Sequence, residues 1–284
     1  MTPKLVRKLP KNRTFEQIKR HYEVEKSIAE KLKWANREER KAIFPVMYDE
    51  LFAKVADHPR LTKRESEEKA RAANKQKLQL VKKYLNDFNV FLEFGSGDCH
   101  FASEVCKHVK KVYAVDISDQ RGKLFNVSSN FELIVYDGYN LDLEDSSIDV
   151  VFSDQLIEHL FPGDIEGHFK LVKRILRDKG LYIFRSPHAF FGPQDISKYF
   201  SDEPEGFHLK EWTYSEIEKI LKKLNFSSWH GLWRINRKMI KKYVKFPFCY
   251  FKTTEAVLKH LSKKPQRIIS RGFLPVKMVM IAIK

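Results

Sequence analysis

The chain has 284 residues, 43% of them apolar and 13% aromatic, enough to bury a substantial core as one α/β domain with additions or as two small domains. No apolar run approaches the ~20 residues that a bilayer-spanning helix needs, and the opening stretch, 1–10, lacks the apolar segment of a signal peptide. Three cysteines, Cys99, Cys106 and Cys249, make neither a disulfide framework nor a zinc-binding spacing, so no metal is expected and a reducing, cytoplasmic setting follows. The formal charge of +16 is uneven: from Arg234 to Lys284 there are fourteen Lys or Arg and one acid, Glu255. Such a region suits nucleic acid, an anionic membrane surface or an acidic substrate, and equally a plain solvated face.

In chain order, residues 1–85 read as a helical extension or lid. Phe15, Ile18, Tyr22 and Ile28, then Ile43, Met47, Leu51 and Val55, recur at roughly helical spacing. Pro45 and Asp57-His-Pro59 break the segment, and Leu61 to Leu80 reads as an exposed, charged helix. Tyr22, Tyr48 and Phe52 either lie over a pocket or pack on the outside of a sheet.

From residue 86 onward strand and helix alternate. Strands are expected at Val90–Phe94, Val112–Ile117, Leu133–Tyr136, Ile148–Ser153 and Gly180–Arg185, with helices at Phe101–Val109 and Ile165–Leu176 between them. That alternation predicts a doubly wound α/β fold around a mostly parallel sheet buried on both faces. A helix at Ser215–Leu224, a sixth strand within Phe226–Ile235 and a seventh at Val276–Ile283 complete it. Ahead of the last strand stands a basic, aromatic insertion at about 236–273, with Arg237, Lys238, Lys241, Lys242, Tyr243, Phe246, Phe248, Tyr250 and Phe251 and its own helix near Thr254–Leu261. The insertion reads as substrate wall or as ordinary core.

The first strand runs into Glu93-Phe-Gly95-Ser96-Gly97-Asp-Cys99, and the second ends in Ala114-Val-Asp116. Glycines at 95 and 97 let the backbone turn tightly and approach a ligand. A dinucleotide fingerprint would carry a glycine or alanine where His100 stands, and no P-loop lysine follows the turn, so phosphate binding is weakly supported. Glu93 at the strand end suits a ligand bearing positive charge.

These residues resemble the first motif, Glu-x-Gly-x-Gly-x-Gly, of class I S-adenosylmethionine-dependent methyltransferases, with Cys99 in place of the third glycine. Asp116-Ile117-Ser118 resembles the second motif, whose acid binds the ribose hydroxyls, and Tyr136-Asp137-Gly138 the third, whose acid faces the adenine amino group. Ser146-Ser-Ile-Asp149-Val-Val-Phe-Ser153-Asp154-Gln155-Leu-Ile-Glu158-His159-Leu160 is similar to a segment of the small-molecule and ubiquinone-type branch, and the helix–Gly180–strand that follows is similar to the fifth motif. The resemblance covers Val90 to about Arg185 and implies a Rossmann-like, seven-stranded methyltransferase domain over 86–284 with S-adenosylmethionine as cofactor. It implies cofactor contacts from Glu93, Gly95, Ser96, Gly97, Asp116, Ile117, Asp137, Gly138, Ser153 and Gln155. Asp149 reads as a turn residue and Glu158 as support for the neighbouring loop.

Methyl transfer needs alignment and exclusion of water more than covalent machinery. A base helps where the acceptor is a hydroxyl, and His159, following the fourth strand, is the first candidate; its other reading is a histidine that bonds a neighbouring loop. His188 is a weaker candidate, and His208 in His208-Leu-Lys-Glu-Trp-Thr213 resembles a loop of this branch at the pocket rim. The Asn/Asp-Pro-Pro-aromatic motif of amino-methylating DNA enzymes is missing at Ser153–Leu156, and no Pro-Cys pair or RNA-binding module is present. The expectation is therefore methylation of a small or lipid-like organic acceptor, most simply on oxygen, with peripheral membrane contact open. An RNA methyltransferase using the basic C-terminal region, or a protein that binds S-adenosylmethionine without methylating, are the alternatives.

Overall fold

The computed structural model describes residues 5–62, 67–121, 128–237 and 240–284. Parts of two expected features, residues 63–66 of the charged Leu61–Leu80 stretch and Lys238 of the basic insertion, lie outside the described residues.

The N-terminal helices are α1 (Phe15–Trp34), α2 (Arg37–Ile43), α3 (Met47–Lys54), α4 (Pro59–Thr62) and α5 (Glu67–Val81). Capping boxes start the first two: Thr14 accepts from the Gln17 amide while Gln17 reaches back to Thr14, and Asn36 does the same with Glu39. Each box supplies partners to amides that have none inside the helix. Ile18, Tyr22, Ile28 and Leu32 form the buried stripe of α1, and Pro45 separates α2 from α3. Phe44, Met47, Leu51 and Val55 join Ile28 and Leu32 in one cluster against Phe207 and Leu209.

Alternation then begins: β1 (Val90–Phe94), α6 (His100–Val105), β2 (Lys111–Asp116), β3 (Phe131–Val135), β4 (Ile148–Asp154), α7 (Ile165–Ile175), β5 (Leu176–Pro187), α8 (Tyr214–Lys223), β6 (Ser228–Arg237), β7 (Ile240–Phe246), α9 (Phe248–Leu258), α10 (Lys263–Phe273) and β8 (Lys277–Ile283). The sheet order is β3-β2-β1-β4-β5-β8-β6-β7. β1 to β5 pair in parallel, whereas β8 lies antiparallel between β5 and β6, and β7 closes a hairpin on β6. Among the described residues the sheet thus has eight strands rather than seven. The additional one falls inside the stretch expected as an insertion, where Ile240-Lys-Lys-Tyr-Val-Lys-Phe246 forms an edge strand with Lys242 and Lys245 exposed. Exposed lysines on an edge strand oppose pairing with a further chain.

Side chains alternate across the sheet. Leu92, Phe94, Val151, Tyr182, Phe184, Met278 and Met280 face α7, α8 and α9, while Phe91, Val112, Val150, Phe152, Ile183, Val279 and Ile281 face α5 and α6. Both faces being covered explains why β1, β4 and β8 read as nearly continuous apolar runs.

The insertion's aromatics, exposed Phe273 apart, pack on the core. Phe251 is fully buried, stacked on Tyr214 with centroids 4.2 Å apart and an interplanar angle of 12°, and Trp233, Phe246, Phe248 and Tyr250 surround it. Phe251→Ala is expected to destabilise the protein by about 3–5 kcal/mol, the cost of losing a buried aromatic plus the cavity left behind; chemical denaturation of the variant beside the parent chain checks it.

Candidate functional site

Strand order reverses between β1 and β4, which leaves a crevice beyond the C-terminal ends of β1, β2 and β4, the usual ligand position in an open α/β sheet. A cavity of about 340 Å³ occupies it. Its lining comes from the turn after β1 (Gly95, Gly97), the end of β2 (Asp116, Ile117), the end of β3 (Tyr136, Gly138), the segment following β4 (Asp154, Gln155, Leu156, His159, Leu160) and the N-terminal helices (Phe44, Met47, Tyr48).

The turn after β1 requires left-handed backbone at three positions. Gly95 and Gly97 have φ of 68° and 53°, and Cys99, the residue where the resembled motif has its third glycine, has φ of 61°. A side chain in that region costs about 1–2 kcal/mol. Cys99 tolerates it as a fully buried group whose Sγ contacts Ser96 Oγ at 3.5 Å, and burial pushes its thiol up to about 11. A Cβ placed on Gly97 would meet nothing within 4 Å, so that backbone borders open space.

Asp116 accepts from the Gly97 amide at 2.7 Å and the Ile117 amide at 2.8 Å. Beneath the turn Glu93 is 1% exposed, with Lys77 Nζ of α5 3.7 Å from Oε1 and Oε2 buried without a donor. Burial, with Asp154, Asp98 and Asp116 nearby and Lys77 opposing, pushes its carboxyl up to about 8. Asp154 shares Lys77 at 3.7 Å and accepts from Arg185 at 2.6 Å; burial raises its carboxyl, but Arg185 and Lys77 bring it below the usual range. Gln155, with φ of 60°, has its Nε2 buried without an acceptor.

Several expected residues meet at this cavity: Gly95, Gly97, Asp116, Ile117, Gly138, Gln155 and His159 line it, while Ser96 within the turn and Glu93 in β1 are buried next to it in sequence and do not line it. Others are engaged elsewhere. Asp137 accepts from the Tyr139 and Asn140 amides at 2.8 and 2.6 Å, closing the turn after β3, and does not line the cavity. Ser153 is buried against the Tyr182 hydroxyl at 2.8 Å, which also meets His168 Nε2 at 2.9 Å. His188, expected at the productive edge, is fully buried away from the cavity. Its Nε2 bonds Glu255 Oε1 at 2.8 Å, and Glu255 also accepts from the Tyr214 and Ser215 amides at the start of α8. Asp149 accepts from the Val90 amide and pairs with Arg177, a connection at the far end of the strands. Tyr48 does line the cavity, Phe52 packs beside it, and Tyr22 packs at a tilt on Phe200 outside it.

His159 Nδ1 meets the Phe207 carbonyl at 2.9 Å; a carbonyl only accepts, so Nδ1 carries a proton. Its neighbour Glu158 is wholly buried. One of its oxygens accepts from Ser186 Oγ at 3.1 Å, and burial pushes the carboxyl up to about 7. The 208–213 loop docks on this segment: the Lys210 amide donates to the Glu158 carbonyl and Trp212 Nε1 to the Ile157 carbonyl. Thr213, in a capping box with Glu216, is the helix cap, while His208 Nδ1 turns to Glu211 Oε1 at 2.8 Å. Lys77, Phe44 and Met47 were not foreseen, because a helix's composition does not say which ligand edge it crosses.

Residues 92–184 match the sequence model of a family described as a methyltransferase domain. Comparison with the curated proteins gives no match. Among solved structures, the fold is similar to an S-adenosylmethionine-dependent methyltransferase from Archaeoglobus fulgidus (19% identity, 75% of this chain and 94% of that one, TM-score 0.50). It is also similar to the 1,6-didemethyltoxoflavin-N1-methyltransferase of Burkholderia thailandensis, solved with S-adenosylhomocysteine (14% identity, 88% and 91%, TM-score 0.51). At these identities the likeness is one of fold. A left-handed glycine turn facing a strand-end aspartate, on a sheet of this order and within the segment that matches a methyltransferase domain, gives the chain the Rossmann-like fold of the class I S-adenosylmethionine-dependent methyltransferases.

Proposed function

We propose that the protein transfers a methyl group from S-adenosylmethionine to a small or lipid-like organic acceptor, most simply to oxygen. The observation that carries this reading is a single cavity running from the glycine turn to His159 under a wall of Phe44, Met47 and Tyr48, lined by two carboxylates and no Lys or Arg among the described residues. An RNA acceptor would draw its affinity from cationic contacts to phosphate, and those are lacking in this lining.

The residues fit the cofactor. The orphaned Glu93 oxygen suits the methionine ammonium, the open backbone at Gly97, beside Gly95 and Ser96, suits the methionine chain, and the Asp116 carboxylate at the strand end, beside Ile117, suits the ribose hydroxyls. Gly138 borders the base, with Asp137 holding its turn, and Gln155 Nε2 is a donor in want of an acceptor; Ser153 supports that wall from behind. When bound, S-adenosylmethionine supplies an electrophilic methyl on a sulfonium, a good leaving group. The N-terminal helices, as a lid, exclude water and align the acceptor. His159, held by Phe207, offers Nε2 to an acceptor hydroxyl as base. Three free cysteines are in keeping with a reducing, cytoplasmic setting, and Ile268, Ile269 and Phe273 facing outward on basic α10 suit peripheral contact with a membrane. No helix among the described residues is long and apolar enough to cross one.

Incubating the protein with methyl-labelled cofactor and a cell extract is expected to put label into low-mass, nuclease-resistant product; label in nuclease-sensitive material, or bound cofactor with no product, overturns the reading. Asp116→Ala is expected to weaken cofactor binding about tenfold or more, the loss of charge-assisted hydrogen bonds, as read by calorimetry. Glu93 is neutral below about pH 8 in the ligand-free protein, and an ammonium ligand prefers the carboxylate. Cofactor affinity should therefore rise as pH increases toward about 8, with release of a proton, and Glu93→Gln should flatten that rise. His159→Asn should lower turnover on a hydroxyl acceptor about 100-fold while sparing cofactor affinity.

A further inference from the structure

Behind the acceptor end of the cavity three side chains from separate segments converge. Glu158 and His159 follow β4, and His208 comes from the loop ahead of α8. One ligand-type atom from each lies within 4.8 Å of the other two, and the two imidazoles stand edge to face with centroids 5.0 Å apart. Both rings are held from behind by acceptors, His159 Nδ1 by the Phe207 carbonyl and His208 Nδ1 by Glu211 Oε1. A proton on Nδ1 shared with a carbonyl or carboxylate is the outer-sphere arrangement that orients metal-binding histidines through Nε2.

The carboxylate supplies an independent sign. Glu158 is 0% exposed, and its Oε1 is buried with no hydrogen-bond donor; Glu211 Oε2 is buried in the same condition. Orphaned carboxylate oxygens in a protein interior are costly unless a cation meets them.

We propose that Glu158, His159 and His208 bind a divalent cation of the zinc class, with one coordination position open toward the cavity. Two imidazole nitrogens and one carboxylate oxygen are a donor set for Zn²⁺, Co²⁺ or Ni²⁺ rather than for Mg²⁺ or Ca²⁺. The binding itself stands apart from the methyl-transfer reading, but the ion's role rests on it. An oxygen of the acceptor takes the open position, its hydroxyl proton leaves to solvent, and the oxygen keeps the electron pair that forms the bond to the methyl as the bond from methyl to sulfur breaks. With the ion bound, His159 is a ligand, and it is a base only in the ion-free protein.

A second cluster, His21, Glu25 and His58, is built differently. His21 Nδ1 faces Arg13 Nη1 at 2.9 Å, a group that only donates, so the ring proton sits on Nε2 toward Glu25 Oε1 at 2.6 Å. Neither ring nitrogen is then offered to a metal, and the cluster serves as a control.

The test uses the untagged full chain, dialysed against a chelator and titrated with Co²⁺. One Co²⁺ per chain is expected, with the ligand-field absorption of a low-coordinate nitrogen–oxygen site, displaced by Zn²⁺ and unaffected by Mg²⁺. His208→Ala should weaken Co²⁺ binding by about 100-fold or more, and Glu211→Gln, which frees the His208 ring, by about tenfold; His58→Ala should leave it unchanged. Zn²⁺ should raise the melting temperature of the parent chain and not that of His208→Ala. A parent chain without the Co²⁺ spectrum, unaltered affinity in His208→Ala, or loss of the site in His58→Ala overturns the proposal. Cofactor affinity measured on the same samples separates the two readings: intact S-adenosylmethionine binding without Co²⁺ binding removes the ion site alone, and loss of both strikes the methyltransferase reading.

Discussion

The Gly97 amide donates to Asp116 Oδ2 at 2.7 Å, and this bond ties the turn after β1 to the end of β2. It exists because β1 is buried on both faces and must turn at once where its pairing ends. Left-handed backbone at 95, 97 and 99 makes that turn, and the amides of Gly95 and Ser96 meet the Val115 carbonyl on the way. The carboxylate that satisfies the Gly97 amide therefore stands at the mouth of the crevice, and the next strand over brings Gln155 and His159 to the opposite wall. Local backbone strain, strand pairing and a polar ligand edge are one arrangement.

Much of this was legible before any coordinates. β1, β2, β4 and β8 are apolar runs of strand length, and only a sheet covered on both sides asks for them. The glycines at 95 and 97 marked the turn because no other residue adopts that backbone at so little cost. What escaped reading depends on partners distant in the chain. β7 was hidden because an edge strand rich in lysine has the composition of a basic loop. His188 sits near the ligand edge in sequence order, yet Glu255 from α9 claims its Nε2. Asp137 and Ser153 occupy motif positions, but nearby amides and the Tyr182 hydroxyl take their oxygens.

The histidines divide by what holds them. His168 is buried among apolar groups, its pKa driven down to about 4, and serves as a neutral partner to Tyr182. His188 joins two helices through Glu255. His159 and His208 are instead fixed at one nitrogen, with Glu158 between their segments.

The position of β8 has a consequence for how the molecule assembles. Residues 277–283 form the strand that joins β5 to β6, so the outer edge of β5 stays open until nearly all of the described chain has been synthesised. The parallel β1–β5 portion must wait on the ribosome with an unpaired hydrophobic edge, the kind of surface that recruits stray strands and chaperones. Pairings this distant in the chain also make folding slow. In the folded protein Phe251 lies in one core cluster with Tyr182 and Phe184 of β5 and Met278 and Met280 of β8.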